Sequence, residues 1–159
     1  MSRTLNRGVS LIEAIISVTI ITGVVLALFT VFGKLLVISN NSLHTLQATS
    51  LLSEGAEVVR LWRDDNWDNL ANLDLDTYYF YDFDTSAGVW ATSTINQFID
   101  GRFDRRFKIA AVQRDNTTKD IVDSGTLDSG TKLITVSVAW LENTATTTKA
   151  VSFYLTKLF

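Results

Sequence analysis

The feature that most constrains this chain is an apolar segment near its start. Between Val9 and Ile38 only Glu13 and Lys34 have side chains that can be charged. Residues 14–33 alone give about twenty mostly apolar positions, which as a helix span roughly 30 Å, the thickness of a bilayer core. The sequence therefore predicts one membrane-spanning helix, followed by a chain of ordinary soluble composition.

The residues around this segment predict its orientation. Arg3 and Arg7 precede it, so the positive-inside rule places the N-terminus in the cytoplasm and exports everything after Lys34. An ordinary secretory signal peptide is the competing interpretation, but its apolar run is shorter and ends in a small-residue cleavage site. No such site follows here. We expect a single-pass protein of the inner membrane with an extracytoplasmic domain.

Composition excludes several classes of function. The chain has no cysteine, which excludes thiol chemistry, cysteine-based zinc sites and disulfide-closed loops. Its net charge is −3 and it has no dense basic patch, so nucleic acid is not an expected partner. Proline is also absent, so helices and strands must end at Gly, Asn, Asp or Ser.

The helix is predicted to continue beyond the membrane. Residues 43–63 keep helical spacing, which indicates an amphipathic second half of one helix over residues 9–63. Its apolar stripe consists of Ala48, Leu51, Leu52, Gly55, Val59 and Trp62. The polar residues 39–42 are a weak point within this helix, and residues 64–66 are predicted to end it.

The remaining sequence predicts strands and turns. Period-2 alternation is clear over residues 132–141, where Ile134, Val136, Val138 and Trp140 share one face. Further strands are predicted at 78–81, 88–92, 105–113 and 150–157, the last with Val151, Phe153 and Leu155 inward. The two Asp-Ser-Gly tripeptides at 123–125 and 128–130 are predicted turns. We expect an α+β fold in which the amphipathic half-helix packs on a small antiparallel sheet.

The segment from Arg7 to Glu13 resembles the processing site of type IV prepilins and pseudopilins. In that family a Gly is followed by an apolar residue and, at the fifth place of the mature chain, by a Glu. Gly8, Val9 and Glu13 match this pattern, between a short basic leader and a membrane-length helix. The match covers about the first 40 residues of the chain.

The resemblance implies a processing pathway. A membrane prepilin peptidase would cut between Gly8 and Val9 and methylate the new amino group of Val9. Residues 1–8 would then be a leader, 9–38 a transmembrane and filament-core helix, and 39–159 an exported globular domain. The mature chain would hold 159 − 8 = 151 residues.

Glu13 has a physical role that does not depend on the resemblance. A carboxylate within a bilayer costs roughly 2.5–3.5 kcal/mol, so it requires a partner. The nearest cation in the processed chain is the α-amino group of Val9, of the same or of a neighbouring subunit. The resemblance implies the neighbouring one, which would set the axial register of stacked helices. A carboxylate that lies at the membrane interface without a partner is the alternative.

The sequence departs from abundant pilins in two ways. Many major pilins close a C-terminal loop with two cysteines and have a proline in the apolar half of the helix, and this chain has neither. The last two predicted strands are similar to those of minor pilins of the pilus-modification type and of type II secretion minor pseudopilins. The resemblance therefore favours a minor subunit.

Other candidate sites have ordinary explanations. His44 has no catalytic or metal-binding neighbours in the sequence and is expected to be solvated. Seven aspartates within residues 64–84 raise the alternative of a calcium site, but no EF-hand spacing occurs. Trp62 and Trp140 are predicted core residues, whereas Trp67 and Trp90 are predicted to lie in loops. We therefore predict no metal site, no cofactor and no catalytic residue.

The sequence predicts a structural subunit, not an enzyme, of a type IV pilus, type II secretion or DNA-uptake filament. Its expected partners are prepilin peptidase, other pilin or pseudopilin subunits and the assembly machinery. The alternative is a single-pass, membrane-anchored binding or adhesion protein that does not polymerise. A membrane-anchored enzyme is a further alternative, for which no nucleophile–base pair is evident.

Overall fold

Helix α1 runs from Leu11 to Asp65 and is the first element of the computed structural model, which describes residues 10–142 and 144–158. Its 55 residues confirm the long helix that the sequence predicts, and it ends where the aspartates at 64–65 were expected to end it. The backbone remains helical through residues 39–42, where a weak point was expected. The chain divides into two compact units, Met1–Leu43 and His44–Phe159, and α1 contributes to both.

In the second unit, residues 44–65 of α1 pack on a six-stranded antiparallel sheet, which confirms the predicted α+β fold. A four-residue helix α2, Asp68–Ala71, connects α1 to the sheet. The strands are β1 Tyr78–Asp84, β2 Val89–Ser93, β3 Asp104–Arg114, β4 Ile121–Val122, β5 Thr126–Glu142 and β6 Ala145–Thr156. Their order is β2-β1-β3-β5-β6, and β4 pairs with β3.

The core lies between the stripe of α1 and one face of the sheet. The predicted inward face of β5 is fully buried, because Ile134, Val136 and Val138 are 0% exposed and Trp140 is 2% exposed. On α1, Ala48 and Val59 are 0% exposed, which confirms the predicted stripe. The apolar periodicity of these two elements therefore specifies which faces meet.

Gly55 brings α1 unusually close to the sheet. A Cβ atom at this position would collide with the hydroxyl of Tyr81 and lie 2.8 Å from Cγ1 of Val136. The Tyr81 hydroxyl is buried and has no hydrogen-bond partner among the described residues. Burial is the main cause that raises the pKa of Tyr81, so the hydroxyl stays protonated. The helix can approach this closely only because residue 55 has no side chain.

A buried arginine also joins the helix to the sheet. Arg105 of β3 is 3% exposed, and its Nη1 lies 2.7 Å from Oε1 of Glu54 on α1. Its Nη2 donates a hydrogen bond of 3.2 Å to the carbonyl of Tyr81, and the guanidinium lies 4.3 Å from the centre of the Tyr81 ring. A charge that is buried needs such partners, since an unpaired one would be strongly destabilising.

Two predictions about the late strands are wrong. The second Asp-Ser-Gly tripeptide, Asp128–Gly130, is not a turn between strands but lies inside β5. Oδ1 of Asp128 accepts a hydrogen bond from the backbone N–H of Gly130, and the strand register shifts opposite Ala111 and Val112, so the turn chemistry produces a bulge. Val151 was expected inside but is 39% exposed, whereas Leu155 of the same edge strand β6 is buried at 3% as expected.

We predict that Gly55→Ala destabilises the second unit by about 1–3 kcal/mol, the usual cost of overpacking. At an exposed helix position, Gly→Ala would instead stabilise the fold by about 1 kcal/mol. A loss of stability at residue 55 therefore indicates the collision with the sheet. Chemical denaturation of residues 44–159 measures the change. Ser53→Ala, at an exposed position of the same helix, is the control. Adding Tyr81→Phe to Gly55→Ala should recover part of the lost free energy of unfolding, because it removes the hydroxyl that the new Cβ meets. If Gly55→Ala leaves the free energy of unfolding unchanged, the proposed collision is wrong.

Candidate functional site

The apolar half of α1 is the candidate site, because it exposes apolar side chains on all sides. Every residue from 11 to 40 is exposed to the surroundings. Large examples are Ile12, Ile16, Ile20, Val24, Leu28, Phe29, Phe32 and Leu36, each more than half exposed. A helix that is apolar all round is stable only inside a protein assembly or a membrane. This helix is long and apolar enough to cross a membrane.

Hydroxyl side chains within this segment are satisfied locally. Oγ1 of Thr19 donates a hydrogen bond of 2.8 Å to the carbonyl of Ile15, and Oγ1 of Thr30 donates one of 3.0 Å to the carbonyl of Leu26. Both bonds return to the preceding turn of the same helix, as expected for hydroxyls in an apolar environment. These two residues therefore add little polarity to the surface that the helix presents.

Glu13 lies in the first turn of α1 and is exposed. A carboxylate is favoured at this end of a helix, because the peptide dipoles leave a partial positive charge there. Within residues 10–142 and 144–158, no ion pair includes Glu13. Gly8 and Val9 lie outside the described residues, so the predicted cleavage between them and the pairing of Glu13 with the Val9 amino group stay predictions.

His44 is half-buried instead of fully solvated. Its Nε2 accepts a hydrogen bond from Nη1 of Arg102, and its ring meets that of Phe103 edge-on at a centroid distance of 6.4 Å. The aspartates of residues 64–84 do not converge. In the described part of the chain, no three His, Asp or Glu side chains are placed to hold a metal ion.

Three of the four tryptophans belong to the core or pack against it, whereas Trp67 lies in the turn between α1 and α2, as predicted. Trp140 is buried, and Trp62 packs against the core as predicted. Trp90 lies in β2, which confirms the strand predicted over 88–92 and contradicts the loop predicted for this tryptophan. Its ring contacts that of Tyr81 at a centroid distance of 6.1 Å. Nε1 of Trp62 donates a hydrogen bond of 3.3 Å to the carbonyl of Trp90, which ties α1 to β2. Sequence reasoning did not find the groove that these two side chains line.

Comparisons with protein-family models, curated proteins and solved structures found no match to this chain. The described site is an apolar helix surface with one carboxylate in its first turn.

We predict that Leu26→Arg releases the chain from membranes. An arginine at the centre of a spanning helix costs about 2.5–3.5 kcal/mol of insertion free energy. Alkaline extraction of membranes from producing cells measures the fraction that stays inserted. Leu46→Arg is the control, because Leu46 is 68% exposed on the part of α1 that belongs to the second unit. Equal membrane fractions for both variants would show that residues 14–33 do not span the bilayer.

Proposed function

We propose that this chain is a structural subunit of a type IV pilus, or of a related secretion or DNA-uptake filament, processed by prepilin peptidase. The observation that supports this most is one continuous arrangement. In the sequence, the Gly8-Val9 pair precedes a 55-residue helix that has Glu13 in its first turn. The first part of this helix is apolar and its last part packs on an antiparallel sheet. An anchor alone requires neither the carboxylate in the first turn nor the continuous helix.

The apolar helix surface supplies a reason to assemble. Burying ten apolar side chains between subunits is worth roughly 1.5–3 kcal/mol for each, relative to water. Relative to lipid the gain is much smaller, because the bilayer is already apolar. Extraction from the membrane into a filament therefore requires an energy source, and we propose that an ATP-driven assembly machine is a partner of this chain.

Glu13 supplies a reason for subunits to join in register. Its carboxylate is unfavourable in lipid by about 2.5–3.5 kcal/mol unless a cation approaches it. The new amino group of Val9, freed by cleavage after Gly8, is such a cation. Pairing between the Glu13 of one subunit and the Val9 of its neighbour would remove this cost, so the ion pair favours the filament over the isolated anchor.

The second unit is the part of the subunit that meets the exterior. Its core is complete within residues 44–158, with Gly55 and Arg105 fixing the helix on the sheet. Such a domain can decorate a filament without contributing to the apolar contacts of residues 9–38. We propose that it lies outside the cytoplasm, consistent with the arginines that precede the membrane segment.

Glu13→Gln tests this proposal. The change keeps the size of the side chain but removes its charge, so we expect normal membrane insertion and cleavage and at least a tenfold loss of the chain from sheared filaments. The tenfold figure corresponds to about 1.4 kcal/mol, less than the cost of an unpaired carboxylate. Immunoblots of sheared filaments and of membranes, from a host with working assembly machinery, measure both quantities.

Two variants control this experiment. Glu13→Asp keeps the charge and should retain more assembly than Glu13→Gln. Glu57→Gln removes an exposed glutamate that pairs with Arg60 on the second unit and should assemble normally, because exposed pairs contribute little. If Glu13→Gln enters filaments as well as the parent chain does, Glu13 has no assembly role. If the parent chain never enters filaments, the non-polymerising anchored protein is favoured.

A further inference from the structure

A groove lies where α1 ends, between the helix and the β1–β2 hairpin. Its volume is about 590 Å³, within the range of about 300–1,000 Å³ that is typical of ligand-binding clefts. Trp62 and Trp90 are half-buried in it, and Leu61, Phe83 and Val89 are exposed along it by 42–55%. We call this surface, with Asp65, the Asp65 groove.

The groove is built as a fixed shape. Oδ1 of Asp84 accepts hydrogen bonds from the N–H groups of Ser86 (2.8 Å) and Ala87 (3.1 Å), which fix the turn of the β1–β2 hairpin. Asn69 Nδ2 donates to Oδ2 of Asp65 at 3.0 Å, which orients the carboxylate and leaves its second oxygen free. A surface held in place before binding loses little conformational freedom on binding.

The groove selects for a ligand that brings positive charge and an apolar face. Asp65 is exposed and belongs to no ion pair among the described residues. Among the residues that the structure describes, no Lys or Arg lines the groove. The guanidinium of Arg105 already lies 5.4 Å from the centre of the Trp90 ring. The attraction for a further guanidinium or ammonium group therefore comes mainly from the Asp65 carboxylate, beside the apolar side chains of the groove.

One exposed turn of the same chain has this complementary chemistry. Ile99 and Phe103 exchange backbone hydrogen bonds of 2.9 and 3.0 Å, which close a tight turn around Arg102. Phe103 is 2% exposed and fixes the turn to the core, whereas Phe98 is 58% exposed beside it. We call residues 98–102 the Arg102 turn.

Arg102 differs from the other described arginines in its partner. The other five, Arg60, Arg63, Arg105, Arg106 and Arg114, each pair with a carboxylate. In the part of the chain that the structure describes, Arg102 has no carboxylate partner and contacts the ring of His44. An arginine beside an exposed phenylalanine matches a groove of aromatic rings and a carboxylate.

The two surfaces cannot meet within one molecule. The Arg102 turn contacts His44, and Asp65 lies 65 − 44 = 21 residues further along the same helix. At 1.5 Å per residue the two helix positions are about 30 Å apart. A contact between unlike surfaces of two copies is head-to-tail. Its repetition gives a ring where the rotation closes and an open chain where it does not, and a filament requires the open chain.

We propose that the Asp65 groove of one subunit receives the Arg102 turn of a second copy of this chain. Arg102 pairs with Asp65, and Phe98 packs against Trp62 and Phe83. The inference rests on the proposed filament function and goes against the minor role that the resemblance implies. It requires that copies of this chain lie next to one another, joined through their exported units as well as through their helices.

Cross-linking in filaments tests this, because the chain has no cysteine of its own. Thr92→Cys lies in the groove and Gln97→Cys adjoins the Arg102 turn, so neither change removes a proposed contact. A chain with both cysteines, treated with a short thiol-to-thiol cross-linker, should give a ladder of covalent oligomers in sheared filaments. Each single-cysteine chain should stay monomeric, and Ser53→Cys with Gln97→Cys, which replaces the groove position by an exposed helix position, should give no ladder.

Charge variants identify the contact. Asp65→Arg or Arg102→Asp in the double-cysteine chain should abolish the ladder, and both together should restore it because the pair is re-formed with opposite signs.

Filament incorporation of the same chains is measured in parallel. Normal incorporation without a ladder overturns the docking inference and leaves the filament function standing. Dimers of single-cysteine chains, or a cross-link to a different protein, also overturn it. Absence of the parent chain from filaments overturns both proposals.

Discussion

The structure depends on one helix, α1, whose first part is exposed on all sides and whose last part packs on the sheet. The first part of α1 has no core to face and exposes apolar side chains on all sides, whereas residues 44–65 bury a single stripe against the sheet. The stripe needs a helix that approaches the sheet closely, and Gly55 permits this at the Tyr81 ring.

The helix and strand whose apolar residues recur at regular spacing were predictable from the sequence. The long helix, its end near Asp65 and the buried face of β5 all follow from repeats of apolar residues at helical or strand spacing. The same repeats place Trp62 and Trp140 against the core. Such patterns extend over many residues, so a single exception does not hide them.

Features that depend on contacts distant in sequence were not predictable. Arg105 reads as a polar strand residue, yet Glu54 and Tyr81 make it a buried partner between helix and sheet. The bulge at Asp128 has the composition of a turn, and only its pairing with β3 shows that the strand continues. The Asp65 groove likewise arises from residues of α1, α2, β1 and β2 that only the fold brings together.

The functional account requires that cleavage after Gly8 create an amino group close to the carboxylate of Glu13. Mass spectrometry of the N-terminal peptide, on protein purified from membranes and filaments of its own host, tests this most directly. The account predicts a chain that begins at N-methylated Val9. A chain that still begins at Met1 or Ser2, in cells with an active prepilin peptidase, would contradict it.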